Sequence, residues 1–185
     1  KIDVHQLYLG SGDGRKGRLE RVRSKVRKKI PLNNQRSGYF RSVIRSFFDV
    51  LLLIRKTTLI WRSKKMARKG SVIIMDRFPQ DQIFGIIDGP KVPSYRLLFL
   101  LRFLERLCFK IINKNNPDII IRLNIDYDTS VHRKPDHDPN IIKEKIKKTK
   151  KINFGINTVD IDATQIFERV ILEVQKILWK EIVKK

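Results

Sequence analysis

Residues 70–79 read Gly-Ser-Val-Ile-Ile-Met-Asp-Arg-Phe-Pro, and they constrain the fold more than any other stretch. Residues 72–75 are an unbroken apolar run, short enough for a strand buried on both faces rather than a helix. The run stops at Asp76 and Arg77, and Pro79 ends the hydrogen-bond ladder just beyond. A strand covered on both faces belongs to a parallel sheet with helices on either side. Such sheets bind ligands outside the carboxyl ends of their strands. A carboxylate and a guanidinium at that place suit a metal and a phosphate. They equally suit an ion pair that closes a loop, because charged groups gather in scaffolding as well as in sites.

The rest of the chain supplies the partners that such a strand needs. Residues 4–9 read as a first strand, followed by the glycine cluster Gly10-Ser11-Gly12-Asp13-Gly14. The cluster is not a Walker A loop, G-x-x-x-x-G-K-[ST]. Counted from Gly10, the second required glycine falls on Arg15, and Lys16 is followed by Gly17. A turn is its expected use, although backbone amides there also suit an anion. Residues 15–29 alternate basic side chains with Leu19, Val22 and Val26. They predict a helix with a very basic face, either solvated or an arm for nucleic acid.

A polar loop over 31–38 leads into helical spacing over 39–69, carried by Val43, Phe47, Val50, Ile54 and Trp61. One straight helix of that length would reach roughly 45 Å. That is long for a compact domain, so a bend or break is expected, with Gly70 as the stop. Residues 80–93 form a loop with Gly85, Gly89, Pro90 and Pro93. Residues 95–112 predict a helix that is apolar nearly all round, packed between sheet and neighbours. A second buried strand follows over 118–125.

Asp126 and Asp128 at its end are expected to cap a short helix. The twelfth position counted from Asp126 is His137 rather than Glu, so no calcium loop is formed. His132 and His137 lack the spacing of a helical zinc pair. Residues 132–151 are polar and then lysine-rich, which suits a lid over a phosphate as well as any solvent-facing insertion. Residues 158–161 predict a last strand. Asp162 or Thr164 then caps a terminal helix with the stripe Ile166, Val170, Val174 and Ile177. The element order predicts an α/β fold, a three-layer parallel sheet with helices on both faces, in a single domain over residues 1–185.

Composition sets the class of partner. The 185 residues carry 41 basic and 19 acidic side chains, a net charge of +22, which attracts polyanions. Lys, Ile and Asn are abundant together, so a solvated basic surface explains the excess as well as a binding patch does. The one cysteine, Cys108, leaves no internal disulfide and points to a reducing, cytoplasmic compartment. No stretch reaches the ~20 apolar residues of a spanning helix. Residues 97–109 are apolar enough to lie flat on a bilayer or to serve as a dimer face. A packed helix is the favoured use.

Taken together, these residues resemble the thymidylate kinase-like branch of the P-loop nucleotide kinases over nearly the whole chain. Asp76-Arg77-Phe78-Pro79 is similar to the family's DRY-type motif. Arg55 stands where the family places an arginine against the acceptor nucleotide, and residues 126–134 are similar to its strand-to-lid junction. Val159-Asp160-Ile161-Asp162-Ala163-Thr164 is similar to the last strand and turn, which places Ala163 and Thr164 beside the adenine. The loop containing Asp88-Gly89-Pro90 is similar to that of bacterial relatives of the same branch.

The resemblance implies ATP and Mg²⁺ as cofactors and a nucleotide or similar small phosphate acceptor as substrate. It implies that Arg77 and Arg133, assisted by Lys134, neutralise the moving phosphoryl group. Asp76 would hold a water on Mg²⁺ or accept the acceptor's proton, and Arg55, Phe78, Gln82 and Asp88 would surround the acceptor. The chain departs from the family in having no Walker A loop. It opens with Lys1 at what matches the family's second strand, so it is expected to be a fragment, inactive by itself. Two other readings are carried: a basic nucleic-acid-binding protein using 15–29 and 143–151, and a non-catalytic P-loop relative acting as a scaffold. The basic runs lack the interleaved aromatic residues that stack on bases, which disfavours the first.

Overall fold

The computed structural model describes residues 3–9, 35–155 and 158–183. The glycine cluster after the first strand and the basic helix expected over 15–29 lie outside the described residues. Two compact units are present, Lys1–Asn115 and Asn116–Lys185.

In the first unit, β1 (Val4–Tyr8) pairs in parallel with β2 (Val72–Asp76), in register from Val4 opposite Val72 to Tyr8 opposite Asp76. The chain passes between them through α1 (Gln35–Ala67). This helix is unbroken over 33 residues, about 50 Å. The expected break is absent because no proline falls within it. Its polar residues also join the ladder: the hydroxyls of Thr57, Thr58 and Ser63 donate to the carbonyls of Leu53, Ile54 and Leu59 at 2.9, 3.0 and 2.7 Å. The helix ends before Gly70, whose φ of 91° lies in the left-handed region that glycine adopts freely.

A one-turn 3₁₀ segment (Arg96–Leu98) opens α2 (Phe99–Lys114), which packs against α1. The main core joins Leu9, Leu53, Ile60, Cys108, Phe109 and Ile112, with Met75 and Phe78 packed against it. A second cluster joins Val50, Val92 and Leu98. Two expectations are corrected here. β2 is half-buried rather than covered on both faces, with Ile74 41% exposed, and it pairs with β1 alone among the described residues. α2 buries Glu105, Cys108, Phe109 and Ile112 on one side but leaves Phe99, Leu100, Phe103 and Leu107 exposed on the other.

The loop from β2 to α2 is built around Gln80, which is 2% exposed. Its amide nitrogen donates to the carbonyls of Ile83 and Ile86, at 2.7 and 2.5 Å. Its amide oxygen accepts from the backbone N–H groups of Gln82 and Ile83, both at 2.7 Å. Glu105 ties the far end of the loop to α2, its Oε1 accepting from the N–H groups of Lys91 (2.7 Å) and Val92 (3.2 Å).

In the second unit, β3 (Ile120–Asn124) pairs in parallel with β4 (Thr158–Asp162), so the two pairs form separate two-stranded sheets. Between these strands lie α3 (Tyr127–Arg133) and α4 (Pro139–Lys150). Asp126 caps α3 as its spacing predicts, accepting from the Thr129 N–H at 2.7 Å. Asp138 caps α4, and Pro139 occupies the first helical turn, where its missing N–H costs nothing.

β3 is half-buried rather than the buried strand expected, with Leu123 54% exposed. Arg122 grips Asp160 on β4 through Nε and through Nη2 at 2.9 Å, and Asn124 adds a bond of 2.9 Å. The terminal helix α5 spans Phe167–Val183. Its expected cap is corrected: Asp162 accepts from the N–H and hydroxyl of Thr164 in a turn that ends β4, and Ile166 lies outside α5, 71% exposed.

Two measurements test this loop. A Cβ on Gly89 would stand 2.1 Å from the Ile83 carbonyl oxygen and 2.2 Å from Gln80 Nε2. Gly89→Ala is therefore expected to lower the unfolding free energy by about 1–3 kcal/mol in urea titrations. Burial pushes the Glu105 carboxyl above its ordinary value of 4.5, against the two backbone N–H bonds that oppose the shift. The folded state thus holds that proton more tightly than the unfolded chain. The associated stability is complete below pH 4.5 and is lost as pH rises through the raised value. Glu105→Gln keeps an acceptor for both N–H groups and should flatten that decline; an unchanged pH slope would exclude Glu105 as its source.

Candidate functional site

Asp76 closes β2 at its carboxyl end, and Arg77 follows with φ 58°, a left-handed backbone uncommon outside glycine. This turn leaves both side chains exposed while the next three residues turn inward. Pro79 and Gln80 are buried, and Phe78 packs against the main core. No ion pair joins Asp76 to Arg77, and neither has another charged partner among the described residues. The loop-closing use of this couple is therefore not the one found.

A second strained point lies eleven residues on. Ile87 and Asp88 have φ values of 44° and 53°. A β-branched residue at positive φ is costly, and such strain persists only where the surroundings impose it. Here the Gln80 amide holds the Ile86 carbonyl, and the Asp88 carboxylate is clamped by two lysines. Lys56 Nζ of α1 lies 2.8 Å from Asp88 Oδ2, off the line of a well-formed hydrogen bond, and Lys91 Nζ lies 3.6 Å from Oδ1. With its side chain 6% exposed, Asp88 anchors the loop to α1. The adjacent Arg55 and the loop residue Gln82 are both exposed.

The remaining expected residues belong to the second unit. Arg133 is the last residue of α3 and Lys134 its C-terminal cap; both side chains are exposed. Ala163 is buried, its N–H donating to the Asn124 carbonyl at 2.7 Å, and Thr164 is fixed by Asp162. Those Thr164 bonds hold the Asp162 carboxyl below its ordinary range. The Arg122 guanidinium, helped by Asn124, lowers Asp160 to about 2. Both carboxylates therefore stay ionised at neutral pH. Among the described residues no three His, Cys, Asp or Glu side chains gather as a metal centre. Mg²⁺ needs only one or two carboxylates beside substrate phosphates, and the exposed, unpaired Asp76 fits that requirement.

One feature of the first unit escaped the reading of the sequence. Arg102, Arg106, Lys110 and Lys114 recur every four residues along α2 and line a cleft of about 670 Å³ with Phe84. The Asn113 amide donates to Asp81 at 2.8 Å beside it. The four-residue spacing was visible, but it was masked by the stronger apolar signal of the same helix. Among the described residues no helix is long and apolar enough to cross a membrane.

No known family profile matches the chain, and no solved structure matches it. The chain is 32% identical over 129 residues to the Uncharacterized ATP-binding protein YghR of Escherichia coli (strain K12), covering 66% of this chain and 51% of that protein. The protein of the same name in Escherichia coli O6:H1 matches to the same extent. It is 31% identical over 114 residues to the Uncharacterized ATP-binding protein YghS of the K12 strain, covering 55% of this chain and 48% of that one. The chain thus spans about half the length of the curated relatives it matches.

Proposed function

We propose that this chain is the acceptor- and lid-bearing part of an ATP-dependent phosphotransferase of the nucleotide-kinase type. The observation that carries the reading is the Asp76–Arg77 couple. It stands exposed and mutually unpaired at the carboxyl end of a parallel strand, with a rigid loop behind it. The similarity to proteins described as ATP-binding supports a nucleotide as one ligand.

Phosphoryl transfer asks the protein for positioning and charge stabilisation rather than covalent chemistry. Arg77 faces the moving phosphoryl group in this reading, because its planar fork engages two oxygens at once. The left-handed turn at Arg77 sets the direction in which its Cα–Cβ bond leaves the strand. Within the second unit, the exposed Arg133 and Lys134 take the role of the lid's phosphate-neutralising cations. Arg55 on α1 and Gln82 on the loop meet the acceptor, while Phe78, packed in the core, and Asp88, clamped by Lys56 and Lys91, hold that loop in place. Ala163 and Thr164 flank the adenine.

Asp76 would hold Mg²⁺ or take the acceptor's proton. The metal, when bound, supplies neutralisation of phosphate charge. The cradle for the donor phosphates is assigned to sequence outside these 185 residues, which contain no Walker A loop.

The test is transfer of labelled phosphate from ATP by the full-length protein to a panel of nucleoside monophosphates. Arg77→Ala is expected to lower turnover on the order of 10²-fold or more, the scale of losing one preorganised charge-stabilising donor. Turnover equal to the parent's would remove Arg77 from the chemistry. No transfer to any acceptor, with ATP still bound, would favour a non-catalytic relative.

A further inference from the structure

The outer face of α2 and the turn before it carry apolar side chains that no described residue covers. Leu97, Phe99 and Leu100 are 70, 71 and 63% exposed, and Phe103 is 55% exposed. Exposed apolar residues are ordinary when scattered singly, but a contiguous group marks an interaction surface. The helical period sets Phe99, Phe103 and Leu107 on the same side as Arg106, Lys110 and Lys114. A depression of about 360 Å³ lies on this face, lined by Tyr95, Phe99 and Phe103 together with Arg102 and Arg106. The two arginines continue into the cationic cleft beside it. None of the four cations on α2 is ion-paired among the described residues.

We propose that this face docks on an anionic membrane surface. Phe99, Leu100 and Phe103 enter the boundary of the acyl chains, while Arg102, Arg106 and Lys110 meet lipid phosphate groups. Charge complementarity selects this occupant. A helix that joins large apolar side chains to a cationic rim binds in the plane of an anionic bilayer. A second copy would bring the same column of cations, on a chain of net charge +22, against the first. A nucleic-acid backbone would meet the cations but has no place for Leu97 and Leu100. The α2 helix has 16 residues, so it lies on the surface rather than crossing it. This inference does not depend on the phosphotransferase reading.

The test is co-sedimentation of the full chain with phosphatidylcholine vesicles, with and without phosphatidylserine. Binding is expected only where phosphatidylserine is present, and it should weaken as salt is added. At about fivefold per cation, Arg106→Ala with Lys110→Ala should lower partitioning roughly 25-fold. Phe99→Ser with Phe103→Ser should abolish insertion, read from an environment-sensitive dye on Leu100→Cys; the native Cys108 is only 7% exposed and escapes labelling.

Inorganic phosphate should displace no more protein than chloride at equal ionic strength. Absence of phosphatidylserine-dependent binding overturns the proposal, as does selective competition by phosphate. Binding retained by both double variants overturns it by assigning the affinity to basic residues elsewhere. A dimer that Phe99→Ser with Phe103→Ser dissociates, without vesicle binding by the parent, assigns the face to a second copy and overturns it too.

Discussion

The Gln80 amide is the interaction on which the candidate site depends. One side chain, buried to 2% exposure, uses both its nitrogen and its oxygen to bind four backbone groups of the loop behind β2. Leaving a buried donor or acceptor unmet costs about 1–3 kcal/mol, so the loop has few alternative conformations of comparable energy. The strain at Ile87 and Asp88 is sustained by this network and by the Lys56–Asp88–Lys91 cluster. What the strain achieves is a short path: the chain leaves the strand at Arg77, folds on Gln80, and is anchored to α1 within a dozen residues.

The electrostatics of the two units follow different logic. In the first unit, two carboxylates are taken inward and used to fasten backbone or lysine: Glu105 on the N–H groups of Lys91 and Val92, Asp88 between two ammonium groups. Arginines are left outward, and Arg55, Arg77 and Arg106 are all exposed. In the second unit the principal pair joins two strands, with Arg122 bidentate on Asp160 at the sheet surface. Such a pair contributes modestly in water. Its value is in register, because a one-residue slip would move Asp160 to the opposite face. The net charge of +22 thus reflects the excess of 41 basic over 19 acidic side chains, although several acids, Asp76, Asp81 and Asp136 among them, are exposed too.

Much of the architecture was legible. The four strands, the helical spacing before Gly70 (though not the helix's lack of a break) and the Asp126 cap all follow from local rules of period, capping and polarity. Those rules act within a few residues, so the chain states them directly. The position of Asp76 and Arg77 at a strand end was also plain, since an apolar run meeting two charges is a local event. The loop was not legible. Nothing near Gln80 in the sequence says that its amide will be buried, and its network uses carbonyls up to six residues away. Phe78, expected around the acceptor, is partly buried and packs against the main core, whose members come from separate segments of the chain.

The sequence by itself determined the elements, their parallel sense and the chemistry available at the end of β2. Tertiary structure decided which of those groups stay free. Among the described residues Asp76 and Arg77 remain exposed and unpaired, Asp88 is consumed by Lys56 and Lys91, and α2 shows an apolar and cationic face that its composition had suggested would be packed. The physical reason is range. Period and capping are settled by neighbours along the chain, whereas burial and ion pairing depend on which distant segments arrive, and only the packed fold brings them there.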